Sequence, residues 1–150
     1  MTNKPDALLP SAKEVRQKIA LAEAEEAEKQ ARTRAEAQAE KKALIDHLSK
    51  PSGISEEEAI GRATKIIERA MKSRMTEVEV FRFPNQLCTD KGRAINNQEP
   101  GWEKALIGSP KEIYLLWDKY FRPRGYKLKA QIVDFPGGLP GDIGMTLSWG

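Results

Sequence analysis

The sequence predicts an α+β fold: a long N-terminal polar helix, then a small two-layer domain with a three-stranded, largely antiparallel sheet packed by two to three helices. Three observations support it. Residues 11–48 are almost all strong helix formers, without Gly or Pro. The rest of the chain alternates between helical and strand periodicity. The last two strand segments flank a Gly- and Pro-rich corner, which favours a hairpin. We therefore expect an N-terminal charged helical arm, residues 1–53, and a small α+β domain, residues 54–150.

The first helix is predicted to begin after Ser11, because Ser11 and Glu14 have the spacing of a capping box. Its apolar residues form a seam only near its two ends, and charged residues interrupt the middle. A coiled coil needs apolar positions over several heptads. The helix is therefore expected to pair weakly, to dock by its ends, or to extend into solvent. The seam residues expected to contact a partner are Val15, Ile19, Leu44 and Leu48.

The domain is predicted to begin with a helix over residues 56–73, where Ser55 and Glu58 form another capping box. Apolar residues recur on one broad face of this helix, which predicts that the face is buried. The opposite face carries four basic residues: Arg62, Lys65, Arg69 and Lys72. Four charges of one sign are a candidate nucleic-acid contact, although a solvated helix face has the same pattern.

Three segments have strand character. Residues 77–83 are rich in β-branched and aromatic side chains. Residues 126–135 and 143–149 alternate with period two, as half-buried strands do. Between the first and second of these segments, Ser109 as cap and Pro110 at the first helical position predict a helix that continues to residue 122.

The alternation assigns the strand side chains to two faces. Those expected to face the helices are Tyr126, Leu128, Ala130, Ile132, Ile143, Met145, Leu147 and Trp149. Lys127, Lys129 and Gln131 would then point outward, and Phe81 and Phe83 are expected to share that outer face. Lysines and aromatics on a sheet face are typical of single-stranded RNA binders. The same pattern of side chains is also expected if the outer face of the sheet is covered by the long helix or by a second subunit.

Composition narrows the class of protein. The 150 residues have 39% hydrophobic and 31% charged content, which is polar for a compact domain. The net charge of +3 permits acidic partners without requiring them. A single cysteine excludes an intramolecular disulfide. The start has no apolar run of the signal-peptide type, and no stretch is long enough to cross a bilayer, so we expect a soluble cytoplasmic protein without a membrane partner.

The segment DFPGGLPGDIG, residues 134–144, suggests three sites. A phosphate-binding loop is excluded because Pro136 and Pro140 lack amide donors and because a strand, not a helix, follows. A metal site would have only Asp134 and Asp142 as ligands, fewer than hard ions require. The favoured interpretation is a stiff hairpin corner, in which Asp142 binds backbone amides of its own turn and Leu139 is presented for contact.

Cys88 is the other candidate for chemistry. A cysteine nucleophile normally needs a histidine base. The only histidine, His47, is predicted in the last turn of the long helix, beyond Pro51 and Gly53. We therefore interpret Cys88 as a small buried apolar group. The sequence predicts no catalytic residue, no metal and no cofactor.

Three functional hypotheses remain. The first is a non-enzymatic protein-interaction or assembly module that uses the helical arm and the domain to bind a protein partner or a second copy. Its contacts would be Trp102, Arg122, Arg124, Leu139 and the seam residues Val15, Ile19, Leu44 and Leu48. The alternative is RNA or other nucleic-acid binding through Arg62, Lys65, Arg69, Lys72, Lys127 and Lys129. The third is a small enzyme using Asp134, Asp142 or Cys88.

Overall fold

The computed structural model describes residues 5–150 and confirms the predicted α+β fold. Within these residues the helices are α1 (Ala12–Ser49), α2 (Glu56–Lys72), α3 (Arg93–Asn96) and α4 (Gly108–Leu116), and the strands are β1 (Glu77–Phe83), β2 (Lys127–Ile132) and β3 (Ile143–Ser148). Short 3₁₀ turns connect several of them. The chain divides into two units, Met1–Ala43 and Leu44–Gly150.

Helix α1 forms because its sequence is rich in helix formers and has a cap at its start. The Glu14 amide donates a hydrogen bond of 3.1 Å to Ser11 Oγ, as predicted. No side chain of α1 is buried. An exposed ion pair of 3.3 Å joins Glu28 and Arg32 one turn apart. The helix therefore depends on local propensity for most of its length, because it lacks a fully buried apolar face.

The sheet has the strand order β1-β3-β2, and both neighbouring pairs are antiparallel. The predicted hairpin between β2 and β3 is confirmed, with Lys127 opposite Ser148 and Ile132 opposite Ile143. Strand β2 alternates between exposed and half-buried side chains, as its sequence predicts. The central strand β3 is almost entirely buried because it has a partner on each side.

A β-bulge in β1 shows that the predicted outward orientation of Phe81 and Phe83 is wrong. Glu79 lies opposite Thr146, whereas Phe81 lies opposite the next residue, Met145, so Val80 is an extra residue in the strand. An extra residue changes which side chains share a face. Phe81 and Phe83 consequently point into the core, where Phe83 is only 1% exposed.

The helices cover one face of the sheet and bury the core there. The first core cluster consists of Phe83, Leu87, Cys88, Ile95, Leu106, Ile143 and Met145. The second consists of Ile67, Phe121 and Leu147. From the end of α1, Ile45 and Leu48 pack against the first cluster. The second unit therefore includes the last turn of α1 as part of its packing.

The helix predicted over residues 110–122 has different ends in the structure. Its α-helical part begins at Gly108, so Ser109 lies inside the first turn and makes no capping hydrogen bond; Ile107 is at the cap position. From Trp117 to Phe121 the chain forms a π-helical turn, followed by a 3₁₀ turn over Arg122–Arg124. Pro123 lacks the amide that a continuing helix needs.

Candidate functional site

A cleft of about 760 Å³ lies between α2 and α4. Val80, Phe81, Leu128 and Leu147 form its floor on the core face of the sheet. His47 and Leu48 at the end of α1, with residues 51–54 of the connection to α2, close one side. No pattern in the sequence predicts this cleft.

Helix α2 forms one wall of the cleft. Ala59, Ala63 and Ile66 line it at helical spacing, while Ile67 and Ala70 are buried in the domain. Ser55 caps the helix by accepting a hydrogen bond of 3.1 Å from the Glu58 amide, as predicted. Because the two alanines are small, they leave apolar space between the helices instead of filling it.

Helix α4 and the π-helical turn form the other wall. Ile113 and Leu116 are half-buried, and Leu115 is 54% exposed although it lines the same cleft. Trp117 is held in place because its Nε1 donates a hydrogen bond of 3.1 Å to the Tyr126 carbonyl. The two walls together present a mainly aliphatic surface with exposed apolar carbon at its rim.

A polar network joins the two walls at the mouth of the cleft. The Tyr120 hydroxyl donates a short hydrogen bond to Glu56, and Lys119 Nζ lies 3.3 Å from Glu56 Oε2. The hydrogen bond from Tyr120, followed by that from Lys119, lowers the pKa of Glu56 below its ordinary value. The same network raises the pKa of Lys119, chiefly through Tyr120 and then Glu56. The start of α2 is thereby linked to the π-helical turn.

A second contact connects the segment before α2 to α4. The Ser52 amide donates a hydrogen bond of 3.2 Å to Glu112 Oε1. Within residues 5–150 no group of three or more His, Cys, Asp or Glu side chains is arranged to hold a metal ion. The polar side chains at the mouth bond to one another, while apolar side chains line most of the interior. This arrangement suits recognition of an apolar surface.

The hairpin corner has a different internal arrangement from the one predicted. Asp134, not Asp142, accepts the backbone hydrogen bond, from the Asp142 amide at 2.5 Å. Arg82 binds both carboxylates, with Nε 3.0 Å from Asp142 and a terminal nitrogen 3.5 Å from Asp134. Asp142 is the main cause of the raised pKa of Arg82. The two carboxylates are thus brought together around the guanidinium of Arg82 from β1.

Cys88 is buried in the core, which confirms its interpretation as a packing residue. Burial, and secondarily the charge of Asp90, raises its pKa to about 12. A thiol with so high a pKa is almost entirely protonated near neutral pH and is a poor nucleophile. His47 lies in the last turn of α1, as predicted.

The predicted contact residues of the domain lie in several different places. Trp102 is half-buried, with its ring edge-on to Tyr114 at 5.7 Å. Arg122 pairs with Asp118 at 2.7 Å and stacks over Trp117, and Arg124 donates to the Tyr120 carbonyl. Leu139 is 71% exposed in the hairpin corner.

The predicted seam of α1 is exposed at three of its four residues. Val15, Ile19 and Leu44 are exposed to solvent, while Leu48 is half-buried against the core of the second unit. Leu48 therefore already has an intramolecular packing role.

The predicted basic residues fall on two different surfaces. All four on α2 are exposed: Lys65, Arg69 and Lys72 lie on its outward side, and Arg62 lines the cleft between α2 and α4. Lys127 and Lys129 lie on the opposite side of the domain, because α2 packs against the other face of the sheet. Lys129 Nζ is 3.1 Å from Glu77, and Arg62 is 2.9 Å from Glu58. The two groups do not form one basic surface.

The cleft has a weak signal in the sequence. Leu115 is an apolar residue next to the apolar face of its helix, and Ala59 and Ala63 are small residues where larger ones would fill a core. Neither pattern shows by itself that two helices stand apart over a sheet, because their separation depends on contacts far apart in sequence.

Comparison with protein-family models, with curated proteins and with solved structures found no match. Within residues 5–150 there is no helix with enough length and apolar character to span a bilayer.

Proposed function

We propose that this protein is a non-enzymatic interaction module whose α+β domain binds an amphipathic helix of a partner protein in the cleft between α2 and α4. The observation that carries the proposal is the apolar cleft itself, about 760 Å³ in volume. Leu115 at its rim is 54% exposed and extends the apolar surface of the cleft to solvent, and contiguous exposed apolar surface marks interaction sites. Helix α1 serves as an arm or spacer.

A helix is the partner element that fits this geometry best. The cleft lies between two helices that pack on the same sheet face, so a third helix would complete the layer. Amphipathic helices bind such grooves through apolar residues spaced three, four and seven apart. The small residues Ala59 and Ala63 allow close approach of larger side chains from the partner.

The test uses a photo-crosslinking amino acid at position 115 in the full-length protein. The matched control places the same group at Met71, which is 60% exposed on α2 and does not line the cleft. We expect a discrete protein adduct from position 115 whose crosslinked peptide has helical apolar spacing. Ala63→Glu, which puts a charge into the cleft, should remove this adduct while the melting temperature shows that the domain is folded.

Two results would contradict the proposal. One is equal adduct formation from positions 115 and 71, since that indicates non-specific surface contact. The other is an adduct at position 115 whose mass is that of a small apolar molecule, since a cleft of this volume also suits a small ligand.

The nucleic-acid alternative has one supporting observation, the four basic residues exposed together on α2. The outer sheet face does not offer Phe81 and Phe83 for base stacking, because both side chains lie in the core. This hypothesis predicts that affinity for single-stranded RNA falls steeply as the salt concentration rises. Neutralising Lys65, Arg69 and Lys72 should make the affinity less dependent on salt. The absence of a gel shift at low salt would exclude it.

A further inference from the structure

Strand β2 is an edge of the sheet with an unpaired side. It pairs with β3 on one side only. Among residues 5–150, no hydrogen bond from another segment reaches the backbone of Lys127–Ile132 on the other side. An edge of this kind presents amide and carbonyl groups that can pair with another extended chain.

A second cleft, about 450 Å³ in volume, runs along this edge. Five consecutive β2 residues, 128–132, line it. Successive side chains of a strand point to opposite faces, so a cleft that touches all five must lie beside the strand, where its backbone is accessible. The far wall includes Ile95 and Asn96 of α3 and the Trp102 ring, and Phe135 lies at one end.

The charges beside the edge indicate which chains would pair there. Lys127 and Lys129 point to the outer face of the sheet, and within residues 5–150 Lys127 has no ion-pair partner. Lysines on an edge strand protect it against unselective strand pairing, and like-charge repulsion makes the barrier highest for basic chains. Glutamates placed opposite them in a cross-strand pair are stabilising instead.

The sheet already accommodates this pattern on its other edge. In β1 the sequence Glu77-Val78-Glu79-Val80 alternates acidic and apolar residues, and Glu77 reaches across β3 to lie 3.1 Å from Lys129. In the same stretch Val78 is half-buried and Val80 packs against the core. An acidic and apolar alternation therefore matches both faces of this sheet.

We propose that β2 accepts an extended segment of another protein, with alternating acidic and apolar residues, as a fourth strand. Its acidic side chains would face Lys127 and Lys129, and its apolar side chains would face the half-buried Trp102. Backbone hydrogen bonds supply affinity in this mode of recognition and the alternating side chains supply specificity. The proposal is independent of the helix-binding cleft, which lies between α2 and α4.

The experiment measures binding of the labelled peptide acetyl-TEVEVEVT-amide to the full-length protein by fluorescence polarisation. The comparison peptide, acetyl-TKVKVKVT-amide, has the same strand propensity and the opposite charge. We expect the acidic peptide to bind at least tenfold more tightly. Hydrogen exchange should show new protection of backbone amides in Lys127–Ile132, and no new protection in β1.

A charge reversal at Lys127 gives the sharpest test, since its side chain is exposed. Lys127→Glu should weaken binding of the acidic peptide by about fivefold, because one cross-strand pair changes from attractive to repulsive. The same substitution should strengthen binding of the lysine peptide, for which that pair becomes attractive. Lys65→Glu on α2, on the opposite side of the domain, makes the same change in net charge and should alter neither affinity by more than about twofold.

Three results would overturn the proposal. The first is equal binding of the two peptides, or no binding of either. The second is an equal effect of Lys127→Glu and Lys65→Glu, which would mean attraction by net charge alone. The third is protection that appears in β1 or α2 without β2.

Discussion

The α-carbon of Gly108, at the start of α4, lies directly against the Leu48 carbonyl in the last turn of α1. A β-carbon at Gly108 would overlap this oxygen and would lie 2.7 Å from the Ser49 α-carbon. Gly108 also has a φ of +64°, which L side chains rarely adopt. The end of α1 can therefore pack in the second unit only because residue 108 has no side chain.

Gly108→Ala should destabilise the protein by about 1–3 kcal/mol, since it adds both backbone strain and a steric overlap. Gly61→Ala is the matched control, because Gly61 lies within α2 and a β-carbon there meets nothing within 4 Å. That control should be stabilising by about 0.5–1 kcal/mol. Urea unfolding of both variants checks this, and destabilisation of the same size at both positions would contradict it.

Tyr120→Phe should raise the pKa of Glu56, because the Tyr120 hydroxyl is the main cause of its lowered value. A carboxyl whose pKa is lower when folded contributes stability above its unfolded pKa and loses it as the pH falls through the folded pKa. The stability difference between the wild type and Tyr120→Phe should therefore shrink at acid pH.

The control for this substitution is Tyr114→Phe, since Tyr114 is not among the causes of the Glu56 shift. NMR titration of the Glu56 carboxyl gives the pKa in each variant. An unchanged Glu56 pKa in Tyr120→Phe would show that the hydroxyl does not stabilise the carboxylate.

Cys88 should react with a thiol reagent about a thousandfold more slowly in the folded protein than in urea. The reason is that burial raises its pKa from 9.0 to about 12, so the thiolate is correspondingly scarce. Between pH 9 and 12 the unfolded thiol loses its proton while the folded one keeps it, and stability should fall as the pH rises. Equal rates in the presence and absence of urea would contradict the burial of Cys88.

We expect Val15→Glu and Ile19→Glu each to weaken self-association through α1, because each puts a charge into its apolar seam. Both side chains are exposed, so the melting temperature should change little. Gln17→Glu, on another side of the same helix, adds the same charge and is the control. Sedimentation velocity over a range of concentrations measures the effect. Identical behaviour of all three variants and the wild type would remove the seam as an oligomerisation surface.

The sequence alone was sufficient to predict the features that depend only on residues close together in the chain. The caps at Ser11 and Ser55 each require a hydrogen bond to an amide three residues away, so their spacing can be read directly. The alternation in β2 likewise follows from its own residues. For the same reason the class of the fold was predictable, because each helix and strand is recognised from its own periodicity.

Tertiary structure decided the features that depend on distant partners. The bulge at Val80 exists only in the pairing of β1 with β3, and because of it the side chains of Phe81 and Phe83 point towards the core. Arg82 approaches Asp134 and Asp142 although they lie 52 and 60 residues away in sequence. The cleft between α2 and α4 and the open edge of β2 arise in the same way. Local hydrogen bonds and periodicity determine which elements form, whereas register and packing between remote segments determine which surfaces remain available for binding.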